Sequence, residues 1–321
     1  MIELKGSIGK YRILKKIGSG GFGTVYLAED TFLKSLRALK IPHRIGIQTE
    51  KLLQESALQS KLLQHPNIVK LLTVDVIDNV YIMVMEYIDG TDLESLIDSR
   101  NNLELPTALR YLRQILSAVG FAHEYRVIHR DIRPSNVLID KGDNVKVTDF
   151  GTSTLLEGKP FATTRIGSPP YMAPEQFEGR AVLASDIYSI GCLFYEMVTG
   201  FPPIVLANPM EIYKKAKAGE IQPLRRKAAT VSDELDHIVM TMLQPDPARR
   251  YKKVDVILQE LDQAFERPRD HGNEIRDIQS RITAREQRTD YICWNCKKVM
   301  PRPMRRCIYC GAEQYPVRQK P

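Results

Sequence analysis

His129-Arg130-Asp131-Ile132-Arg133-Pro134-Ser135-Asn136 sets an acid and an amide five residues apart, and after a short β-like run comes Asp149-Phe150-Gly151. Upstream, Gly18-Ser19-Gly20-Gly21-Phe22-Gly23-Thr24-Val25 lies between two strand-like runs. Glycines spaced this way let backbone N–H groups approach phosphate oxygens, because no Cβ blocks the way. The same pattern marks dinucleotide-binding folds and ordinary tight turns. Here a strand follows it and not a helix, which argues against the dinucleotide fold. The next strand ends in Arg37-Ala38-Leu39-Lys40, where a lysine between apolar neighbours would ordinarily be an exposed edge residue. Downstream stand Gly167-Ser168-Pro169 and Ala173-Pro174-Glu175.

In this order the motifs resemble the protein kinase family, specifically the eukaryotic-like (Hanks-type) serine/threonine kinases, over about residues 10–265. The resemblance implies an α+β, bilobal fold and a reaction that moves the γ-phosphoryl group of ATP to Ser/Thr hydroxyls of proteins, the chain itself included. It implies that the loop from Gly18 to Gly23 covers the phosphates and that Lys40 holds the α- and β-phosphates, paired with Glu55 of the helix that follows. Asp131 would accept the hydroxyl proton, and Asn136 and Asp149 would hold two Mg²⁺ ions through oxygen ligands. Arg133 departs from the lysine usual at its position; it keeps the charge on a bulkier, planar group. The adenine is expected between Ile17, Val25 and Ala38 on one side and Leu138 on the other. Met85, Glu86, Tyr87 and Ile88 would form the gatekeeper and hinge. Thr164, three residues before Gly167, is the expected activating phosphosite, with the adjacent Thr163 as its rival and Arg130 as the phosphate's partner. Glu175 is expected to pair with Arg250, and Asp186 to support the backbone of the 129–136 loop. Ser168 and the pair Pro134-Ser135 fit a protein hydroxyl acceptor.

Around these motifs the chain divides by pattern. Tyr11–Ile17, Thr24–Glu29, Leu36–Ile41, Ile68–Ile77 and Val80–Tyr87 have strand composition, and Glu50–Gln64 has helical spacing of its leucines. After Gly90 the pattern turns helical: Leu109, Leu112, Leu116 and Val119 share a face, and Asp186–Thr199 and Ser232–Leu243 follow. Strands first and helices after predicts two lobes with a cleft. We expect a kinase domain over 1–265, a charged helical linker over 266–289 and a zinc ribbon over 290–321.

The composition agrees: 321 residues, 43% apolar and 26% charged, is an ordinary globular balance with room for two domains. No run of 18 apolar residues exists, and Met1–Lys16 lacks the apolar core of a secretory signal, so the expectation is a cytoplasmic chain with no membrane span. The net charge of +7 is concentrated: residues 266–321 carry 13 Lys and Arg against 7 Asp and Glu.

Four of the five cysteines, Cys293, Cys296, Cys307 and Cys310, form C-x2-C-x10-C-x2-C. Two such knuckles supply the tetrahedral thiolate set that Zn²⁺ prefers, and they resemble a small zinc ribbon. Two disulfides, a redox pair or an iron–sulfur centre are the alternatives. In a closed Cys₄ site the metal is structural, and Trp294 is expected to cover the miniature core. The basic tail suggests an acidic or nucleic-acid partner, against the plainer reading of a solvated surface. From another class of function, the chain could be a pseudokinase scaffold whose ribbon binds such a partner.

Overall fold

The computed structural model describes residues 6–20, 23–42, 62, 64–77, 80–150, 168–266, 291–300 and 306–313. The chain divides into two compact units, Met1–Ala264 and Phe265–Pro321.

The first unit opens with β1 (Ser7–Ile8), β2 (Tyr11–Gly20), β3 (Gly23–Asp30), β4 (Ser35–Pro42), β5 (Leu71–Ile77) and β6 (Val80–Glu86). They form one antiparallel sheet in the order β1-β2-β3-β4-β6-β5. Tyr11, Ala28, Leu39, Ile82 and Val84 bury one apolar cluster of this lobe, and Ala38, Leu71, Met83 and Met85 another. The alternation places Leu39 in one cluster and Ala38 in the other, as period-2 side chains require. The β3–β4 hairpin is closed by Asp30, whose Oδ1 accepts from the N–H groups of Phe32 (3.0 Å) and Leu33 (3.1 Å). β5 starts at Leu71, three residues later than the apolar pattern suggests, because His65–Lys70 is turn and extended chain.

A small sheet of β7 (Gly90–Asp92), β8 (Val137–Asp140) and β9 (Val145–Val147) then leads into the helical lobe. Its helices are α1 (Leu93–Arg100), α2 (Leu105–Glu124), α3 (Pro174–Phe177), α4 (Leu183–Thr199), α5 (Pro209–Ala218), α6 (Asp233–Met242) and α7 (Val254–Glu266). α2 buries Ala108, Tyr111, Leu112, Ile115, Leu116, Ala118, Val119 and Ala122, the 3.6-residue stripe of a core-facing helix. α4 is buried nearly all round and serves as the lobe's central post. It stops at Gly200, whose φ of 83° is left-handed and whose Cβ, if present, would lie 2.1 Å from the Asn101 carbonyl oxygen. α6 begins where the Ser232 hydroxyl caps it by accepting from Leu235 N–H (3.2 Å).

The second unit contains β10 (Tyr291–Ile292) and β11 (Val299–Met300), which pair antiparallel. Among the described residues no helix is long and apolar enough to cross a membrane.

Candidate active site

The 129–136 loop joins α2 to β8, and one carboxylate holds it. Asp186, 1% exposed on α4, accepts from His129 N–H (2.9 Å) and Arg130 N–H (2.9 Å), and lies 2.8 Å from His123 Nε2. This is the backbone support expected of Asp186. Arg130 has a φ of 69°, a left-handed conformation that costs a non-glycine residue free energy and persists here because both its N–H and its carbonyl are held. The carbonyl accepts from Gln176 Nε2 (2.9 Å). Nothing in the sequence marked Gln176, because its partner is a backbone atom 46 residues away.

Within the loop, Asn136 Nδ2 donates to the Asp131 carbonyl oxygen (2.7 Å) and to Asp131 Oδ2 (3.0 Å). The amide's donor side is thereby committed to Asp131, and its oxygen remains for another ligand. Burial pushes the Asp131 carboxyl above its ordinary range, more than the charges of His129 and Arg133 and the Asn136 bond offset. Thr148 N–H donates to the Asn136 carbonyl (3.0 Å), and His129 Nε2 lies 2.8 Å from the Thr148 carbonyl. These bonds bring Asp149 beside the loop.

Asp149, with a φ of 68°, pairs with Lys40: Nζ lies 2.7 Å from Oδ1. Burial works to raise the Asp149 carboxyl, but the charge of Lys40 and its hydrogen bond outweigh it and hold the group below its ordinary range. Lys40 is a buried residue of β4 and not an edge lysine. Glu55, its expected partner, lies outside the described residues, as do Gly21, Phe22, Thr163 and Thr164. Arg133 reaches Glu94 of α1, Nη2 to Oε1 3.3 Å, a contact the sequence did not announce.

The residues expected around an adenine fall on neighbouring strands. Val25, Ala38 and Met85 share one apolar cluster, with Ala38 opposite Met85 in the β4–β6 register. Ile17 is exposed on β2, and Leu138 and Ile88 are half-buried. The N–H of Glu86 is taken by the Lys70 carbonyl (3.0 Å), so toward a ligand Glu86 can offer its carbonyl and not its N–H. Its side chain is turned to Lys70 N–H (2.9 Å) and Lys146 Nζ (3.2 Å).

The described glycines divide by cause. A Cβ on Gly23 would lie 2.5 Å from the Ile41 carbonyl oxygen, so the β3–β4 pairing demands that glycine. Among the described residues, a Cβ on Gly20 would meet nothing within 4 Å. Their packing does not require that glycine, whereas a phosphate lying against the backbone would. With the oxygens of Asp131, Asn136 and Asp149 and the ammonium of Lys40 nearby, the residues fit a magnesium nucleotide. Farther out, Glu175 pairs with Arg250 as expected, at 2.6 and 2.9 Å.

In the second unit, the sulfurs of Cys293, Cys296, Cys307 and Cys310 lie within 4.8 Å of one another. Cys293 and Cys310 are 3.6 Å apart, as are Cys296 and Cys307. Tetrahedral Zn–S bonds of about 2.3 Å would set sulfurs roughly 3.8 Å apart, so the donor set fits that ion. The two knuckles repeat each other. Lys297 N–H donates to the Cys293 carbonyl and Gly311 N–H to the Cys307 carbonyl, both at 2.9 Å, and both residues have left-handed φ, 58° and 72°. Trp294 departs from expectation. It is 54% exposed, because the core around the sulfurs is too small to bury an indole.

The family model for the protein kinase domain matches residues 11–262. The chain is 34% identical over 267 residues to the serine/threonine-protein kinase PrkC of Bacillus subtilis (strain 168), covering 81% of this chain and 41% of that protein. It is 34% identical over 260 residues to the "Probable serine/threonine-protein kinase PknB" of Lactococcus lactis subsp. lactis (strain IL1403), covering 78% of this chain and 41% of that protein. The chain thus spans about two fifths of the length of these curated relatives.

Proposed function

The chain belongs to the protein kinase family, and from that premise we propose that it transfers the γ-phosphoryl group of ATP to serine and threonine hydroxyls of proteins, itself included. The observation that carries this reading is the joining of Asp131 to Asn136 and of Asp149 to Lys40 across one loop–strand junction. Phosphoryl transfer asks the protein for position and charge more than for covalent chemistry.

In this reading Asp131 orients the substrate hydroxyl and takes its proton, and its burial-raised basicity suits that task. Lys40 gives its charge to the α- and β-phosphates, and Arg133 places a guanidinium near the transferred group. Asn136 and Asp149 would hold magnesium, which when bound neutralises the charge spreading over the phosphoryl oxygens. Glu55 is the proposed helix partner of Lys40. The loop threonines Thr164 and Thr163 are the proposed sites of self-modification, with Arg130 as the phosphate's partner. The cytoplasm, a reducing compartment, is the proposed location, since it keeps the four clustered thiols available to a metal. We further infer that Cys293, Cys296, Cys307 and Cys310 hold one structural Zn²⁺, which supplies the small unit with the stability its core lacks.

Asp131→Asn tests the assignment. Transfer from radiolabelled ATP to a generic basic protein should fall by roughly 10²–10⁴-fold while nucleotide binding persists. A variant retaining a tenth of the parent rate overturns it.

A further inference from the structure

Trp294 is the sole tryptophan of the chain. Its ring N–H donates to the Glu313 carbonyl (2.8 Å), which fixes one edge and leaves the indole half open. Tyr309, on the second knuckle, is likewise 54% exposed, with Lys298 Nζ 5.2 Å from its ring centroid. The knuckles adjoin at these residues: Nδ2 of Asn295, next to Trp294, lies 3.7 Å from Sγ of Cys310, next to Tyr309. Between residues 291 and 313 there are five Lys and Arg and a single acid, Glu313. That acid is already engaged by Arg306, Nη2 to Oε1 3.2 Å.

Half-exposed rings with cations beside them are what stacked bases and their phosphates require; an acidic peptide would use the cations and leave the rings without purpose. We propose that the ribbon binds single-stranded nucleic acid, with bases stacking on Trp294 and Tyr309 and phosphates meeting Lys297 and Lys298. The proposal rests on the Cys₄ metal reading, which holds the two knuckles together.

Because no other tryptophan contributes, tryptophan emission of the chain, excited beyond the tyrosine absorption band, reports on this surface alone. The zinc content of the sample is measured first. The chain is then titrated with a 20-nucleotide oligo-dT and a mixed-sequence RNA of equal length. Saturable quenching is expected, with affinity falling as salt rises, by a log–log slope of about −0.7 for each phosphate contacted. Tyr309→Ala should weaken binding roughly tenfold, and Trp294→Ala likewise when read by anisotropy of a labelled oligonucleotide. Trp294→Phe, which keeps a ring, should restore most of the affinity. Equal quenching by inorganic polyphosphate overturns base stacking. So does a response to a poly-glutamate peptide with none to oligonucleotide, which would assign the surface to an acidic protein segment. A zinc-loaded chain that ignores the oligonucleotides defeats this proposal alone; a chain without metal defeats the Cys₄ reading along with it.

Discussion

Replacing Arg250 with methionine should cost the kinase domain about 4 kcal/mol, and the magnitude follows from the donors involved. The guanidinium has five N–H groups, and each has an acceptor. Two reach Glu175, at 2.6 and 2.9 Å; the others reach the carbonyls of Ala184 (2.9 Å), Gln244 (2.7 Å) and Pro245 (3.0 Å). The Tyr188 ring centroid lies 4.9 Å from the guanidinium carbon, and the two side chains of the ion pair are 0% and 8% exposed. Methionine fills the space but leaves a buried carboxylate whose remaining side-chain partner is the Ser185 hydroxyl (2.6 Å). Removing one partner of a buried pair costs roughly 3–5 kcal/mol, most of it from the charge left behind. At about 2–4 °C per kcal/mol for a domain of this size, Tm should fall by roughly 8–16 °C. Urea unfolding followed by far-UV circular dichroism is the suitable assay, because tryptophan fluorescence reports the other unit. The double variant Glu175→Gln with Arg250→Met removes the stranded charge and should recover about 2 kcal/mol of the summed single losses. A loss below about 1 kcal/mol in Arg250→Met, with an unchanged urea slope, would refute the reasoning.

Two further outcomes follow from buried and metal-ligating groups. Burial pushes Glu196 up to about 7 from an ordinary 4.5; Glu94 and Asp98 add to this, while the Tyr171 hydrogen bond and Arg133 oppose it. The folded chain then keeps a proton that the unfolded chain releases, so stability should fall as pH rises from about 4.5 to 7, by at most about 3 kcal/mol, and level off above. Glu196→Gln should flatten that slope in urea midpoints taken at pH 5 and 8, and an unaltered slope counts against it. Elemental analysis should find one zinc per chain, lost in Cys293→Ser with Cys310→Ser. On the zinc reading, metal binding would contribute roughly 10–16 kcal/mol to the ribbon, so chelation should unfold it and spare phosphoryl transfer to a generic substrate. Iron in place of zinc, or no metal, sinks that assignment.

The lobes were legible because strand and helix periods change near Gly90, and the site's acids and amides because chemistry restricts residue type at Asp131, Asn136 and Asp149. What the sequence hid depends on backbone atoms or on neighbours distant in the chain. Three of the five acceptors of Arg250 are carbonyls, which any residue supplies. Gly23 reads as part of a phosphate loop, yet the Ile41 carbonyl alone forbids a Cβ there. Lys297 adopts the conformation that Gly311 adopts in the second knuckle, and no composition rule picks a lysine for it. An aromatic beside a cysteine suggests a core position for Trp294, and only the small size of that core explains why the ring is exposed.

The Asp186 clamp has a consequence in time. Loops that carry function usually open on their own, well before the domain unfolds. The amide protons of His129 and Arg130 are instead bonded to a carboxylate 1% exposed on the central helix. They can meet solvent only when α4 parts from the loop, an event that dismantles the lobe. Their hydrogen exchange should therefore run on the clock of global unfolding, among the slowest amides of the chain. Substrate would then meet a loop already set, with little ordering left to do at each turnover.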